Sequence, residues 1–199
     1  MIPAVDPVLQ NRERQLNSLY GMGLLATLAF VTVTFTALVL VFILRSRVPM
    51  NWTPIFLPPV LWFDTAILIA SSAVYEVGHR KLRLNDQRAF YRWTGYATGL
   101  GLLFLAGQLA AWGQILSSGQ LVRNNPHSSF FFIFSGIHAA HILVGLAGLI
   151  TLLYRTREPA SGPRWQMNTR VLANTVAIFW HYLDAVWVIL FVLLLVVKS

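Results

Sequence analysis

The chain has 199 residues, of which 56% are hydrophobic and only 11% are charged, whereas about a quarter of the residues in an ordinary globular domain are charged. This composition excludes a conventional soluble domain and favours a protein surrounded by lipid, and the absence of cysteine excludes disulfides, iron–sulfur clusters and thiolate metal sites. The net charge of +8 comes from fifteen Lys and Arg scattered through short connections, so we expect these side chains to face lipid headgroups and expect no nucleic-acid partner.

Five apolar segments follow one another along the chain, each close to the roughly 20 residues that cross about 30 Å of hydrocarbon. They lie at approximately Leu19–Leu44, Pro59–Val77, Trp93–Leu116, Ser129–Tyr154 and Val171–Val197. The connections between them are too short to hold a soluble domain. The sequence therefore predicts an all-α fold in which residues 1–199 form one membrane domain, an integral bundle of five transmembrane helices.

The second segment contains two acids. Asp64 lies about five residues from the end of its segment, and we expect it to remain solvated as a capping or interfacial acid. Glu76 precedes Arg80 by four residues, which is the favourable order for an ion pair along a helix. The functional alternative for Glu76 is a surface carboxylate that collects protons for a neighbouring channel.

The third segment is rich in glycine and carries a polar amide at Gln108. Gly95 and Gly99 form a GxxxG pair, which permits two helices to approach closely. Either this pair marks a specific helix–helix contact, or it reflects the ordinary abundance of glycine in membrane helices. Gln108 is expected to bridge helices through its side-chain amide.

The fourth and fifth segments carry ionisable groups deep in the predicted bilayer, where each needs a partner or a role. His138 and His181 each lie about ten residues inward from a segment end, which at 1.5 Å per residue places both roughly 15 Å deep. His138 and His141 are three residues apart, as are His181 and Asp184, so each pair shares one helix face. Because the two segments are antiparallel, we predict an interhelical polar cluster of these four residues.

Several interpretations of this cluster remain open from spacing alone. Asp184 could accept hydrogen bonds from the histidines and so hold the helices together. Three imidazoles and a carboxylate could also bind zinc, copper or iron, or the group could relay protons. A haem-binding histidine pair is a fourth interpretation.

The orientation of the bundle follows from the distribution of Lys and Arg. The N-terminal tail and the second and fourth connections hold eleven of these residues, and the other side holds four. Since positively charged residues concentrate on the cytoplasmic side of a membrane protein, we predict a cytoplasmic N-terminus and a C-terminus on the outer side.

Two motifs in the last two segments resemble those of a known family. Gly136–Gly145 has the pattern GxHxxHxxxG, and Trp180–Trp187 has the pattern WHxxDxxW. In order and spacing they resemble the signatures of subunit III of the haem–copper respiratory oxidases. The stretch DTAILIASS at Asp64–Ser72 is similar to the family's NTAILLASS, and Gln108 falls where the family often has a glutamine. The resemblance covers essentially the whole chain and matches the short, five-helix form.

Two positions depart from the family pattern. The stretch Gly21–Phe30 lacks the glutamate that the corresponding helix typically carries, and Asn174 lies about where a glutamate usually precedes the WHxxD motif. Roles assigned to those carboxylates are therefore not carried over to this chain. The departures are compatible with the related subunit that accompanies nitric oxide reductases.

The resemblance implies an accessory subunit that has no redox centre, in a terminal oxidase of an aerobic respiratory chain. It implies haem and copper in partner subunits I and II, and no cofactor, metal or catalytic residue in this chain. The chain is expected to pack on subunit I in the inner (plasma) membrane of a prokaryote, with a respiratory supercomplex as a wider assembly. It is also expected to bind phospholipid and to support proton uptake. His138, His141, His181 and Asp184 would then pack and hydrogen-bond between helices.

Other residues are candidate contacts for lipid or for proton entry. These are Glu76, Arg80, Lys81, Trp180 and Trp187.

The resemblance leaves open whether cytochrome c or quinol donates the electrons, because the donor would bind other chains. The rival hypothesis is a stand-alone proton-coupled transporter that uses Glu76, Asp184 and the histidines, although no segment is broken by proline at its midpoint as many transporter helices are.

Overall fold

The computed structural model describes residues 7–48, 57–118, 126–159 and 162–197, and the regular secondary structure in these ranges is helical. The helices are α1 (Pro7–Ser46), α2 (Val60–Arg83), α3 (Gln87–Ser117), α4 (Pro126–Thr156) and α5 (Pro163–Val196). All five contain stretches long and apolar enough to cross a membrane. The predicted all-α fold of five membrane-spanning helices is therefore confirmed, whereas the orientation of the termini stays a prediction.

Most of the helices extend beyond the apolar segments that predicted them. α2 continues past Val77 to Arg83, and α3 begins at Gln87 rather than at Trp93. Hydropathy marks only the part of a helix that contacts hydrocarbon, whereas the backbone stays helical into the headgroup region, where Lys and Arg side chains are hydrated. The start of α3 is fixed by Asp86, whose side chain accepts a hydrogen bond from the backbone N–H of Ala89 at 3.0 Å.

A tight turn joins α2 to α3. Asn85 lies in this turn with φ of 64°, a left-handed conformation that asparagine tolerates better than most residues. The backbone N–H of Leu84 donates to the carbonyl oxygen of Arg80 at 3.2 Å and so closes the last turn of α2. The two helices consequently form an antiparallel hairpin.

The helices α2, α3, α4 and α5 form a ring in which each packs on its two neighbours, and α1 lies against α5 and α4. The centre of this ring is filled by Trp180 of α5, which is fully buried. Its indole is accommodated by glycines on two other helices, since an added Cβ would lie 2.9 Å from the ring at Gly101 and 2.8 Å from it at Gly145. Helix α5 thus supplies the side chain around which α3 and α4 pack.

The close approaches between helices do not occur at the GxxxG pair. A Cβ added at Gly99 would meet no other atom within 4 Å, and one added at Gly95 would meet only Leu153 at 3.9 Å. The hairpin of α2 and α3 is instead tight at Gly78, where a Cβ would lie 2.8 Å from the Cβ of Trp93. Within the described residues, Gly95 and Gly99 are therefore ordinary helix glycines.

Candidate functional site

Polar contacts join α5 to α2 along their shared interface. The hydroxyl of Ser72 and Nδ1 of His181 share a short hydrogen bond. Further along, Nε1 of Trp187 donates to Oγ1 of Thr65 at 3.0 Å. Thr65 and Ser72 are seven residues apart and hence on one face of α2, and this spacing could have shown from the sequence that both hydroxyls point the same way.

Asp184 is buried at the same interface. Its side chain is near Ser72, although neither carboxylate oxygen has a hydrogen bond of regular geometry with a described residue. Ser72 therefore lies close to both polar groups on this face of α5. The neighbour of His181 and Asp184 is α2, and not α4 as their antiparallel arrangement suggested.

His138 on α4 has an aromatic environment. Its ring lies 5.0 Å from the Trp187 ring and 5.8 Å from the Phe104 ring, measured between centroids, and Phe35 of α1 completes the surroundings at 6.3 Å. Neither ring nitrogen of His138 has a hydrogen-bond partner among the described residues. His141 donates from Nδ1 to the carbonyl oxygen of Ile137 on its own helix at 2.7 Å.

The structure therefore does not join His138, His141, His181 and Asp184 by hydrogen bonds with one another in the described part of the chain. No three His, Asp or Glu residues among those described are grouped as a metal site. Residues three apart share a helix face, but this spacing does not identify the side chains that lie opposite them. It could not show that aromatic rings from α1, α3 and α5 surround the His138 side chain.

Asp64 differs from its predicted role as a solvated acid. Asp64 is only 1% exposed, and its Oδ2 accepts a hydrogen bond from Nε2 of Gln108 at 2.6 Å. The carboxylate lies against Gly107, where an added Cβ would overlap it at 2.0 Å from Oδ1. The expected bridging role of Gln108 is confirmed, and its partner is Asp64 because glycine opens the surface of α3 at that level.

Glu76 forms the predicted ion pair near the polar end of α2. Its Oε1 lies 2.9 Å from Nε of Arg80. Its Oε2 lies 3.7 Å from both Nδ1 of His79 and Nε2 of His181. Lys81 is exposed beside this group. The acid is thus shared between a hydrated guanidinium and two imidazoles that lie towards the bundle.

Trp180 and Trp187 are not placed to contact lipid. They are 0% and 1% exposed, respectively, and both point into the ring of helices rather than out of it. The rings of Trp187 and Phe104 form a T-shaped contact with their centroids 5.3 Å apart. In the WHxxDxxW motif, Trp180 therefore fills the core, while His181 and Asp184 lie beside Ser72 of α2. Trp187 does both, since it is buried and also donates to Thr65 of α2.

An apolar groove runs between α1 and the α4–α5 pair. It encloses about 400 Å³, and its walls include Leu24, Val144, Val176 and Phe179. Glycines on two helices, Gly23 and Gly148 among them, also line the groove. Such a surface fits an acyl chain or an apolar side chain from a neighbour.

Comparison with known proteins identifies what the chain is similar to. The model of the family "Cytochrome c oxidase subunit III" matches residues 20–198. Cytochrome c oxidase subunit 3 of Thermostichus vulcanus is 27% identical over 179 residues, which cover 87% of this chain and 85% of the relative. The protein of that name from Synechocystis is 28% identical, over 86% of this chain and 72% of the relative. That of Corynebacterium diphtheriae is 31% identical over 64% of this chain and 60% of the relative.

Proposed function

The chain belongs to the cytochrome c oxidase subunit III family, and we propose that it serves as an accessory subunit, without redox centres of its own, of a haem–copper terminal oxidase. The match of the family model to residues 20–198, which include the apolar parts of all five helices, is the observation that carries this proposal. Relatives named cytochrome c oxidase subunit 3 in several bacteria support it. In this proposal haem and copper belong to subunits I and II, which reduce oxygen in an aerobic respiratory chain.

We place the chain in the inner membrane, packed laterally on subunit I. The outer surface of the bundle presents large apolar side chains along its length, as on α1, where Leu25, Phe30 and Val33 are each more than 60% exposed. A surface of this kind needs lipid or another membrane protein against it. An oxidase subunit and the surrounding phospholipid would together cover it.

The proposed supporting roles use two features of the bundle. The apolar groove between α1, α4 and α5 would hold a phospholipid acyl chain. Glu76, with Arg80 and Lys81 beside it, would exchange protons with water near the complex, because it is partly exposed and also faces His79 and His181. Both roles support the lifetime and proton supply of the complex rather than its oxygen chemistry.

Purification of the assembly around this chain tests the proposal. We expect an affinity tag on the chain to recover, in mild detergent, a large haem-bearing subunit and a copper-bearing subunit identified by mass spectrometry. The assembly should consume oxygen with cytochrome c or quinol as donor, and the isolated chain should show no haem absorbance. Recovery of nitric oxide reductase subunits, or a chain that purifies alone and carries protons across liposomes, would contradict it.

A further inference from the structure

A polar recess opens between the C-terminal end of α2 and the N-terminal half of α5. It has a volume of about 220 Å³ and is lined by His79, Leu82, Arg83, Arg170 and Asn174. It is separate from the apolar groove, whose walls come from α1, α4 and α5. Neither the helix-packing contacts of the core nor the proposed lipid groove accounts for it.

Two hydrogen bonds between elements hold the walls of the recess in place. On one side, the hydroxyl of Tyr75 donates to the carbonyl oxygen of Ala173 at 3.0 Å and fixes α2 against α5. On the other side, Nη2 of Arg170 donates to Oδ1 of Asn85 at 2.6 Å. Asn85 lies in the turn that follows α2, where it has a left-handed backbone conformation. The Arg170 guanidinium is thereby positioned at the mouth of the recess before any ligand arrives.

The lining is positively charged. It carries two guanidinium groups, one imidazole and one carboxamide, and none of its residues is an acid. The acids nearby in sequence are already engaged. Glu76 lies 2.9 Å from Nε of Arg80 and 3.7 Å from Nδ1 of His79 in the lining, and Asp86 caps α3 by accepting from Ala89 at 3.0 Å. Among the described residues, Arg83 forms no ion pair or hydrogen bond through its side chain. The recess therefore presents more donors than its own chain can satisfy.

We propose that this recess binds the phosphate group of an anionic phospholipid headgroup. Guanidinium groups bind phosphate oxygens through paired, charge-assisted hydrogen bonds, and phosphate accepts more of them than a carboxylate does. Asn174 can donate a further hydrogen bond from its amide. The proposal extends the lipid-binding part of the proposed function to a second, headgroup-specific site.

The depth of the recess agrees with a headgroup. The apolar segment of α2 ends near Val77, and the lining residues of α2 follow directly from His79 to Arg83. Basic groups just outside the hydrocarbon attract anionic headgroups, and basic pockets between helices bind them specifically. Free phosphate offers the same oxygens, so the test has to distinguish the two sources.

Three variants of the purified assembly test the proposal. Asn174→Asp adds a negative charge to the recess with little change in size, and Arg170→Gln removes a positive one. Arg88→Gln removes the same charge from the exposed first turn of α3, outside the recess, and serves as the matched control. Bound phospholipid is counted by native mass spectrometry, and the delipidated assembly is then titrated with phosphatidylglycerol, with phosphate-free diacylglycerol and with inorganic phosphate.

We expect phosphatidylglycerol to bind about tenfold or more weakly to both recess variants than to the unchanged and control assemblies. Arg170→Gln removes a charge-assisted hydrogen bond, and Asn174→Asp places a negative charge beside the phosphate. Diacylglycerol should not distinguish the variants. Inorganic phosphate that competes only weakly identifies the lipid as the source, whereas phosphate that binds as tightly as the lipid identifies free phosphate. Equal affinity in all four proteins, or equal weakening in Arg88→Gln, overturns the proposal. Subunit composition, read in the same spectra, tests the oxidase assignment separately.

Discussion

At the scale of single residues, the packing of the bundle depends on glycine at a few positions, where a side chain would collide with a neighbouring helix. Trp180 occupies the centre of the ring because Gly101 and Gly145 leave room for its indole. Asp64 is accommodated in the same way against Gly107. These glycines are distinguished from the others only by what lies opposite them, which the sequence does not reveal.

We expect Gly145→Ala to destabilise the bundle by about 1–3 kcal/mol, the usual cost of overpacking a core. The added Cβ would lie 2.8 Å from the buried Trp180 ring. Gly99→Ala makes the same change in open space and should be neutral or stabilising by roughly 0.5–1 kcal/mol, because alanine favours the helix. Thermal unfolding in detergent, followed by tryptophan fluorescence, compares the two, and equal Tm values would contradict the central role of Trp180.

The Asp64–Gln108 pair supports a second prediction. Gln108→Leu should destabilise by about 1–3 kcal/mol, because Asp64 stays buried and loses the donor 2.6 Å away. Asp64→Asn keeps the shape and can still hydrogen-bond Gln108, so we expect a much smaller effect. The midpoints of denaturant unfolding measure both changes. Greater damage from Asp64→Asn would mean that the carboxylate has a role beyond this bond.

The sequence predicted the position of each polar group along its helix but not its partner. Of the deep polar groups that helical spacing predicted, His138 and Asp184 are buried in the bundle, whereas the His181 side chain is 39% exposed. The rotation of each helix about its own axis is decided by contacts far apart in the chain, such as Ser72 with His181. For that reason Asp64 was expected at the interface with water and is in fact buried.

At the scale of elements, α1 is attached differently from the other helices. It contributes few buried side chains to the core, among them Val31, Phe35 and Phe42, while most of its length is exposed. A polar contact joins it to α5, where the hydroxyls of Thr32 and Tyr182 lie 2.6 Å apart. The sequence predicted this helix as readily as the others, because hydropathy detects a membrane-spanning segment but does not report how tightly that segment packs against other helices.

We expect Phe42→Ala to loosen α1 selectively, since truncating a buried Phe costs about 3–5 kcal/mol in a packed core. Phe30→Ala makes the same change on the exposed side of the same helix and should leave the bundle unaffected. Hydrogen–deuterium exchange should rise in α1 of the first variant, with α2 and α3 unchanged. Equal exchange in both variants would indicate that α1 is held from its outer side by a neighbouring subunit.

At the scale of the whole molecule, charge separates the two ends of the bundle. Nine of the fifteen Lys and Arg lie around the α2–α3 turn and the α4–α5 connection, mostly on the helix ends that adjoin them. The recess lined by Arg83 and Arg170 lies at this basic end. Positive charge near the cytoplasmic ends of helices is the main determinant of topology, so this end should be cytoplasmic.

Cysteine labelling can establish the orientation cleanly because the chain contains no native cysteine. Leu84→Cys and Ser118→Cys place single thiols at opposite ends of α3, each at an exposed position. In intact cells whose outer barrier is permeabilised, an impermeant maleimide should label position 118 and reach position 84 only after lysis. The reverse pattern would invert the predicted topology.

The position of Trp180 in the last of the five helices also affects the order of assembly. The ribosome delivers α2, α3 and α4 to the membrane before the side chain that fills the space between them exists. Until α5 arrives, Gly101 and Gly145 border an unfilled gap, and a packed interior with such a gap forfeits dispersion contacts on every side. A chain that ends before α5 therefore lacks Trp180, the side chain that fills the centre of the ring. Such an incomplete copy differs from the finished protein in the packing of α3 and α4 as well as in length.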